Sequence, residues 1–212
     1  DHFPDIIKAC NAHGWEFFSH GVYNTRYLYG MTAEQQRRII RDSIDTIRDK
    51  AGQEMSGWLS PALTNTDETI DLLAEAGIQY TLDLMHDDQP TPIKVSSGRL
   101  ISVPYSLEVN DVPLLTGSTV DDCSGLPTMR NSPPQRYAEI CKAQFDQLYE
   151  EGAESGMVMC MPLHPFLIGQ PHRIRALDEI LAYVTSHEGV WLATAREIAA
   201  WYYAHHYDAA VA

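Results

Sequence analysis

Apolar and polar positions along the chain follow two periods, which predict helices separated by short strands. The helical period marks residues 4–12, 33–51, 67–76, 134–152, 170–186 and 195–205. Short apolar runs typical of strands cover residues 15–19, 55–59, 78–84, 100–104, 156–161 and 190–193. Strands that alternate with helices predict a mainly parallel sheet covered by helices, which is an α/β fold.

Residues suited to helix ends support several of these boundaries. Thr32 followed by Gln35 matches a capping box at the start of the second helix, and Gly52 is suited to end it. Thr66 and Thr194 stand where two further helices begin. The stretch over residues 87–134 is punctuated by Pro and Gly and predicts a long, largely irregular connection, of the kind that often carries function.

Composition narrows the class of protein. The chain has 15 Lys plus Arg against 29 Asp plus Glu, a net charge of −14, which repels phosphate backbones and anionic lipid. No apolar run approaches the roughly 20 residues of a membrane span, and no leader pattern opens the sequence. The cysteines form no Cys-x-x-Cys pair, so no zinc knuckle or redox motif is predicted, and four cysteines scattered over 212 residues are typical of reduced thiols in a cytosolic protein. We therefore expect a cytoplasmic protein with neither nucleic acid nor membrane as a partner.

Candidate chemistry follows the predicted strands, because ligands of parallel sheets bind beyond the carboxyl ends of the strands. His20, Ser60 beside Trp58, Asp83 and His164 each stand at such an end. An imidazole there can bind a metal or polarise a carbonyl, and a carboxylate can transfer protons. Each candidate has a structural alternative: a hydrogen-bonded loop histidine, core packing for Trp58, or a solvated acidic loop for Asp83.

Two loops add further candidates. His172 follows His164 across a Gly-Gln-Pro turn, and we expect it in the first turn of the next helix. The polar loop after His20 carries Asn24 and Arg26. We expect substrate contacts from His172, from Arg26 and from the loop at 100–130.

Several segments resemble motifs of the polysaccharide-deacetylase superfamily, in its allantoinase-like and cyclic-imide-hydrolase-like branch. They are HGWEFFSHG at 13–21, GWLSP at 57–61, LHP at 163–165 with GQPHR at 169–173, and EGVWLAT at 188–194.

The resemblance implies a fold. That fold is a distorted (β/α) barrel of about seven strands, forming a single catalytic domain over residues 1–212. The barrel would be incomplete at its N-terminal side, since the aspartate pair of the family lies on the first strand and this sequence has no Asp-Asp-Gly segment. Three explanations stay open: a fragment, a cleaved precursor, or a naturally short homologue. Because open strand edges need a cover, we also expect a homo-oligomer.

The resemblance also implies an activity. Its members hydrolyse carbon–nitrogen bonds other than peptide bonds, by attack of activated water on the carbonyl of an amide, an imide or the N-acetyl group of a sugar. His20 matches the first metal histidine, His164 matches the general acid, and we therefore expect both at one rim of the barrel. Asn24 stands at the position of the second metal histidine, and Leu59 at that of an arginine. An amide is a weaker metal ligand than imidazole. Two alternatives therefore stay open: catalysis with a divalent metal, for which zinc is the first candidate, and catalysis without a metal.

The predicted site has three groups of residues. The catalytic group is His164, His20 and Asp83; the substrate-binding group is Trp58, Ser60, Asn24, His172 and Arg26; the metal group is His20 with Asn24. The alternative is a non-catalytic homologue that acts as a binding or scaffold protein.

Overall fold

The computed structural model describes residues 2–23, 25–116 and 132–212. The chain divides into two compact units. Unit 1 comprises the residues up to Val103 together with Ala193–Ala212, and unit 2 is Pro104–Leu192. The prediction of a single catalytic domain concerns the assembly of these units and stays a prediction.

The described residues form helices and short strands in alternation along much of the chain. The helices are α1 (Pro4–Ala12), α2 (Ala33–Ala51), α3 (Asp67–Glu75), α4 (Asp111–Leu115), α5 (Pro134–Glu151), α6 (Pro165–Ile168), α7 (Ile174–Thr185), α8 (Ala195–His205) and α9 (Tyr207–Ala210). The strands are β1 (Gly57–Trp58), β2 (Tyr80–Thr81), β3 (Thr91–Ile93) and β4 (Leu100–Ser102), and short 3-10 turns occur at Pro61–Leu63 and Leu107–Val109. No helix in the described part of the chain is long and apolar enough to cross a bilayer.

The sheet lies in unit 1. Within the described residues it has four strands in the order β1-β2-β4-β3, with β1, β2 and β4 parallel and β3 antiparallel at the edge. Ser19 adds an isolated parallel bridge to Trp58, beyond β1. The α/β class is confirmed, and the barrel of about seven strands goes beyond this sheet and stays a prediction.

The core of unit 1 forms where α2 and α3 cover the sheet. Ile40 on α2 and Leu73 on α3 are buried with Trp58 of β1. Close packing needs glycine at 57, since a Cβ there would lie 2.0 Å from Cζ of Tyr80. The ring of Tyr80 on β2 can therefore pack against the backbone of β1 only because residue 57 has no side chain.

The core of unit 2 forms between α5 and α7. Tyr137 and Cys141 of α5 are buried with Ile180 of α7. The Tyr137 hydroxyl donates to the backbone oxygen of Val109 at 3.1 Å. Burial is the main cause that raises the pKa of the Cys141 thiol to about 11, so this cysteine is an inert packing residue.

The predicted helix boundaries are confirmed where end chemistry is strong. Thr32 Oγ1 accepts from the Gln35 N–H at 3.3 Å, and Gln35 Oε1 accepts from the Thr32 N–H at 2.9 Å. Gly52 ends α2 in the left-handed conformation, at φ 68°. Thr194 begins α8 with the same reciprocal arrangement towards Glu197.

Other predicted elements were wrong. Residues 156–161 and 190–193 form no strand, and residues 15–19 contribute only the bridge at Ser19. In the first of these segments, Cys160 exchanges hydrogen bonds with the backbone N–H and hydroxyl of Ser106, so its polar groups are partly satisfied without a ladder. The helix predicted from 170 begins at Ile174, after a turn in which the Arg173 N–H donates to the Gln170 oxygen at 2.8 Å. Strand β3 was not predicted.

Candidate functional site

His20 lies exposed at the edge of the sheet in unit 1, one residue beyond the bridge at Ser19. Its Nδ1 is 3.0 Å from the backbone oxygen of Leu59. A carbonyl oxygen only accepts, so Nδ1 carries the hydrogen in this bond and Nε2 of the neutral ring keeps its lone pair. Metal-ligating histidines commonly have this arrangement, with one ring N–H held by a backbone carbonyl.

The backbone turn after His20 depends on glycine and on the neighbouring loop. Gly21 has a φ of 71°, and a Cβ at this position would lie 2.5 Å from Cγ of Pro61. The Gly21 N–H donates to Ser19 Oγ at 3.0 Å, and that hydroxyl donates to Ser43 Oγ at 2.9 Å. These contacts fix the chain on both sides of the imidazole.

Asp83 lies buried at the end of the neighbouring strand and is bonded to Ser60. Its Oδ1 accepts from the Ser60 N–H at 2.6 Å and its Oδ2 from the Ser60 hydroxyl at 2.8 Å. Burial raises the pKa of the Asp83 carboxyl above its ordinary value; the two bonds from Ser60, one from Thr81 and the charge of His20 act in the opposite direction. The carboxyl is therefore a fixed acceptor that holds the loop after β1.

Trp58 and Ser60, both predicted to contact substrate, are fully buried. The Trp58 indole donates from Nε1 to the Ser60 hydroxyl at 3.0 Å. Trp58 therefore takes the core-packing position that was the alternative to a pocket wall. Ser60 links this indole to Asp83, so the three side chains form one hydrogen-bonded chain behind the loop.

In unit 2, His164 is paired with Asp111. Asp111 is fully buried, and its Oδ1 lies 2.6 Å from Nδ1 of the partly exposed His164. Its Oδ2 accepts from the His164 backbone N–H at 2.8 Å. A carboxylate only accepts, so Nδ1 carries the hydrogen and Nε2 is the ring atom left for chemistry.

Sequence reasoning missed Asp111. Its neighbour Asn110 caps α4 by accepting from the Val112 N–H at 2.9 Å, so the Asn-Asp pair before an apolar run was a readable helix start. Nothing local indicated the partner, because His164 is 53 residues away in sequence.

The remaining predicted residues lie apart from these two networks or outside the described residues. Arg26 is exposed in the loop after His20. His172 is exposed and precedes α7, rather than lying in its first turn as predicted, because the Gln170–Arg173 turn comes before the helix. Asn24 and residues 117–130 of the predicted substrate loop lie outside the described residues. The expectation that His20 and His164 share one rim concerns both units and stays a prediction.

The described side chains do not form a metal site by themselves. Over 2–23, 25–116 and 132–212, no group of three or more His, Cys, Asp or Glu side chains is arranged to hold an ion. His20 has the ring orientation of a ligand, but the described side chains do not complete a zinc set of four.

Comparisons with known proteins identify similar sequences and folds. The family model described as polysaccharide deacetylase matches residues 1–81. The peptidoglycan deacetylase of Helicobacter pylori is 29% identical over 218 residues, which covers 93% of this chain and 73% of that protein.

Solved structures extend the match to nearly the whole chain. A putative polysaccharide deacetylase from Mycobacterium smegmatis is 30% identical, with a TM-score of 0.77, and the match covers 95% of this chain and 67% of that one. The Puue allantoinase is 30% identical, with a TM-score of 0.82, and the match covers 96% of this chain and 64% of that one. The chain thus spans less than two thirds of the allantoinase. A likeness of fold alone reaches a CE4 family pseudoenzyme from Bacillus anthracis, at 10% identity and a TM-score of 0.57.

Proposed function

Because the chain belongs to the polysaccharide deacetylase family, we propose that it hydrolyses carbon–nitrogen bonds other than peptide bonds, in an amide, an imide or an N-acetyl group. The bond between His164 and Asp111 carries this proposal. A histidine fixed by a buried carboxylate is the arrangement that general acid–base catalysis uses elsewhere. The residues of this pair come from two different helix starts, so their meeting is a property of the fold.

His164 is proposed to act as the general acid. Its Nδ1 donates to Asp111, so Nε2 of the doubly protonated ring is the atom that delivers a proton, and the Asp111 carboxylate stabilises that imidazolium. Amide hydrolysis needs such a donor, because an amine leaves poorly unless it is protonated. Asp111 acts through His164 and is a positioning residue.

His20 is proposed to act on the carbonyl side, through the lone pair of Nε2. That atom can ligate a divalent ion or accept a proton from water, and Leu59 fixes its orientation. Asp83 keeps its place in the proposed site as the residue that positions Ser60 and the loop after β1. A divalent metal, with zinc as the first candidate, is proposed as a possible cofactor, and the test below therefore compares activity with and without it.

The wider organisation is proposed from the family. The parallel order β1-β2-β4 and the Ser19 bridge are compatible with part of a barrel wall. We extend this to a distorted (β/α) barrel of about seven strands in one domain, with open edges covered in a homo-oligomer. We also propose a cytoplasmic location, because the cysteines are scattered along the chain and those among the described residues, Cys10, Cys141 and Cys160, are free thiols.

The test is hydrolysis of three substrate classes by intact protein: small ureides, cyclic imides and N-acetylated sugars, each with chelator, with added Zn²⁺ and with neither. Acetate release is measured for the N-acetylated sugars, and formation of the new carboxylic acid for the ureides and cyclic imides, because opening a ring releases no separate amine. We expect turnover of at least one class, and a loss of about 10²-fold or more in His164→Gln. His205→Gln, at the end of α8, is the control and should keep the activity. Inertness towards all three classes under all conditions contradicts the proposal.

A second candidate is a non-catalytic member of the family that binds its ligand without turnover. Leu59 and Asn24 favour it, because they stand where the resemblance expects an arginine and a metal histidine. The fold likeness to a pseudoenzyme shows that this fold also occurs in proteins so described. Binding of an N-acetylated sugar with no product in any of the conditions above would support this candidate against the first.

A further inference from the structure

Tyr105 belongs to a segment of unit 2 that is bonded along the segment leading to His164. The Ser106 N–H donates to the Cys160 oxygen at 3.2 Å, and the Cys160 N–H donates to the Ser106 hydroxyl at 3.1 Å. Further along the same segment, Asp111 accepts from both the backbone N–H and the ring of His164. These bonds hold Tyr105 close enough to Asp111 for the charge of that carboxylate to act on the phenol.

The hydroxyl oxygen of Tyr105 acts as an acceptor within the protein. It accepts from Nδ2 of Asn110 at 3.1 Å. The orientation of this amide is fixed, because its Oδ1 accepts from the Val112 N–H at 2.9 Å and its NH₂ group is left to face the phenol. The hydroxyl hydrogen of Tyr105 must therefore be directed away from Asn110.

Tyr105 differs in this respect from the other tyrosines of unit 2. Each of those donates its hydroxyl hydrogen to an oxygen of the protein, at 2.8 to 3.1 Å: Tyr137 to Val109, Tyr149 to Glu188 and Tyr183 to Asp146. The hydrogen of the Tyr105 hydroxyl has no acceptor among the described residues. Because the side chain is only partly buried, this donor is available to a ligand.

The surroundings of Tyr105 keep that hydrogen in place. Burial is the main cause that raises the pKa of the phenol to about 12; Cys160 and Asp111 act in the same direction, and the bond from Asn110 acts against them. The phenol is therefore a neutral donor near neutral pH. A neutral acceptor suits it better than an anion, because the Asp111 carboxylate nearby would repel a second negative charge.

We propose that Tyr105 is a substrate-binding residue, which donates a hydrogen bond to a neutral carbonyl or hydroxyl oxygen of the substrate outside the bond that is cleaved. This inference rests on the proposed function, which assigns the leaving amine to His164 and the carbonyl of the cleaved bond to His20. Ureides and cyclic imides offer a second carbonyl oxygen to this donor, and N-acetylated sugars offer hydroxyl groups. Since the contact is the same in the bound substrate and in the transition state, it lowers KM and leaves kcat nearly unchanged.

The test compares the intact wild-type protein with Tyr105→Phe, which loses the hydroxyl and keeps the ring. The probes are hydantoin, succinimide and N,N′-diacetylchitobiose, one from each substrate class. We expect KM to rise about three- to tenfold in Tyr105→Phe, with kcat within about twofold, because one hydrogen bond is lost equally from the bound substrate and from the transition state. Tyr149→Phe is the matched control, since it loses a hydroxyl that donates to a backbone oxygen of the same unit, and its KM should stay within about twofold. A variant that is merely destabilised has fewer active molecules, which lowers the apparent kcat and leaves KM unchanged.

The outcomes separate this inference from the proposed function. A KM that stays within about twofold of the wild type in Tyr105→Phe overturns the inference, whatever happens to kcat, and leaves the hydrolase standing. Where a probe binds the wild type without being hydrolysed, Kd from an NMR titration replaces KM, and a rise in Tyr105→Phe alone supports the contact although the proposed hydrolysis fails. Wild-type protein that neither binds nor hydrolyses any of the three probes overturns both.

Discussion

Replacing Asp111 with Asn exchanges one oxygen of a buried side chain for an amide nitrogen. In the wild type, the two carboxylate oxygens accept from the backbone N–H and from Nδ1 of His164, at 2.8 and 2.6 Å. Asparagine keeps one oxygen, which the backbone N–H requires, because that group can only donate. Its NH₂ group then faces Nδ1, which must become an acceptor, so the ring hydrogen moves to Nε2.

The size of the effect follows from the bond that is lost. A hydrogen bond to a charged group contributes about 1.5–3 kcal/mol, which corresponds to about 10- to 150-fold in rate when it serves the transition state. We therefore expect Asp111→Asn to lower kcat by at least about tenfold, with KM nearly unchanged, because an amide that donates to Nδ1 cannot stabilise the imidazolium from which Nε2 delivers its proton. The fold should survive, since the substitution conserves volume and one of the two bonds.

Two measurements check this prediction. NMR of ¹⁵N-histidine protein should show the His164 hydrogen on Nδ1 in the wild type and on Nε2 in Asp111→Asn, whatever the substrate. Asp146→Asn is the matched control, because Asp146 is an exposed carboxylate in the same unit that accepts from the Tyr183 hydroxyl. A variant that keeps the hydrogen on Nδ1, or that turns over as the wild type does, refutes the reasoning.

Three further outcomes test the fold around the site. Burial raises the pKa of Asp83 in the folded state, so ionisation of this carboxyl opposes folding. The wild type should therefore lose stability relative to Asp83→Asn as pH rises above about 4, the pKa of the unfolded state, and through the higher pKa of the folded state. Urea unfolding at several pH values measures the difference in free energy of unfolding between the two proteins, and a difference that does not change with pH contradicts this account. Gly57→Ala should destabilise by about 2 kcal/mol or more, since the new Cβ meets Tyr80 at 2.0 Å, whereas Gly156→Ala, with open space around it, should change the free energy of unfolding little; equal effects in thermal unfolding would rule out the clash. Thr32→Ala should cost about 1 kcal/mol by removing the N-cap acceptor, and Thr32→Ser should retain most of it; indistinguishable melting curves for the two variants would show that the cap is idle.

Helix ends could be predicted from the sequence because their chemistry is local. Thr32 and Gly52 act on backbone groups within one turn of themselves, so the residue type and its spacing are sufficient. Strands could not be bounded in the same way, since a ladder needs a partner that the segment does not contain. The apolar run at 156–161 has no ladder, whereas Thr91–Ile93, which includes a proline, pairs at the sheet edge with β4.

The candidate site was predictable only in part, for the same reason. His20 and His164 were found because each follows an apolar run, which is a property of adjacent residues. Asp111 was missed because its role depends on a contact across 53 residues. Trp58 could not be assigned a role from the sequence, because an apolar ring at the end of a strand is suited equally to a pocket wall and to the core. Its complete burial in the structure assigns it to the core.

Glu16 closes unit 1 across a great length of chain. It lies beside the end of α1 and accepts from the Tyr80 hydroxyl at 2.8 Å and from the Arg196 backbone N–H at 2.9 Å, a bond that joins residues 180 positions apart. Unit 1 is therefore discontinuous, whereas unit 2 is one uninterrupted segment. During synthesis on the ribosome, Glu16 can form its bond to Arg196 of α8 only after all of unit 2 has been synthesised. Unit 2 can thus fold as the chain emerges, and the N-terminal half reaches its final state last, in a slow step set by long-range closure.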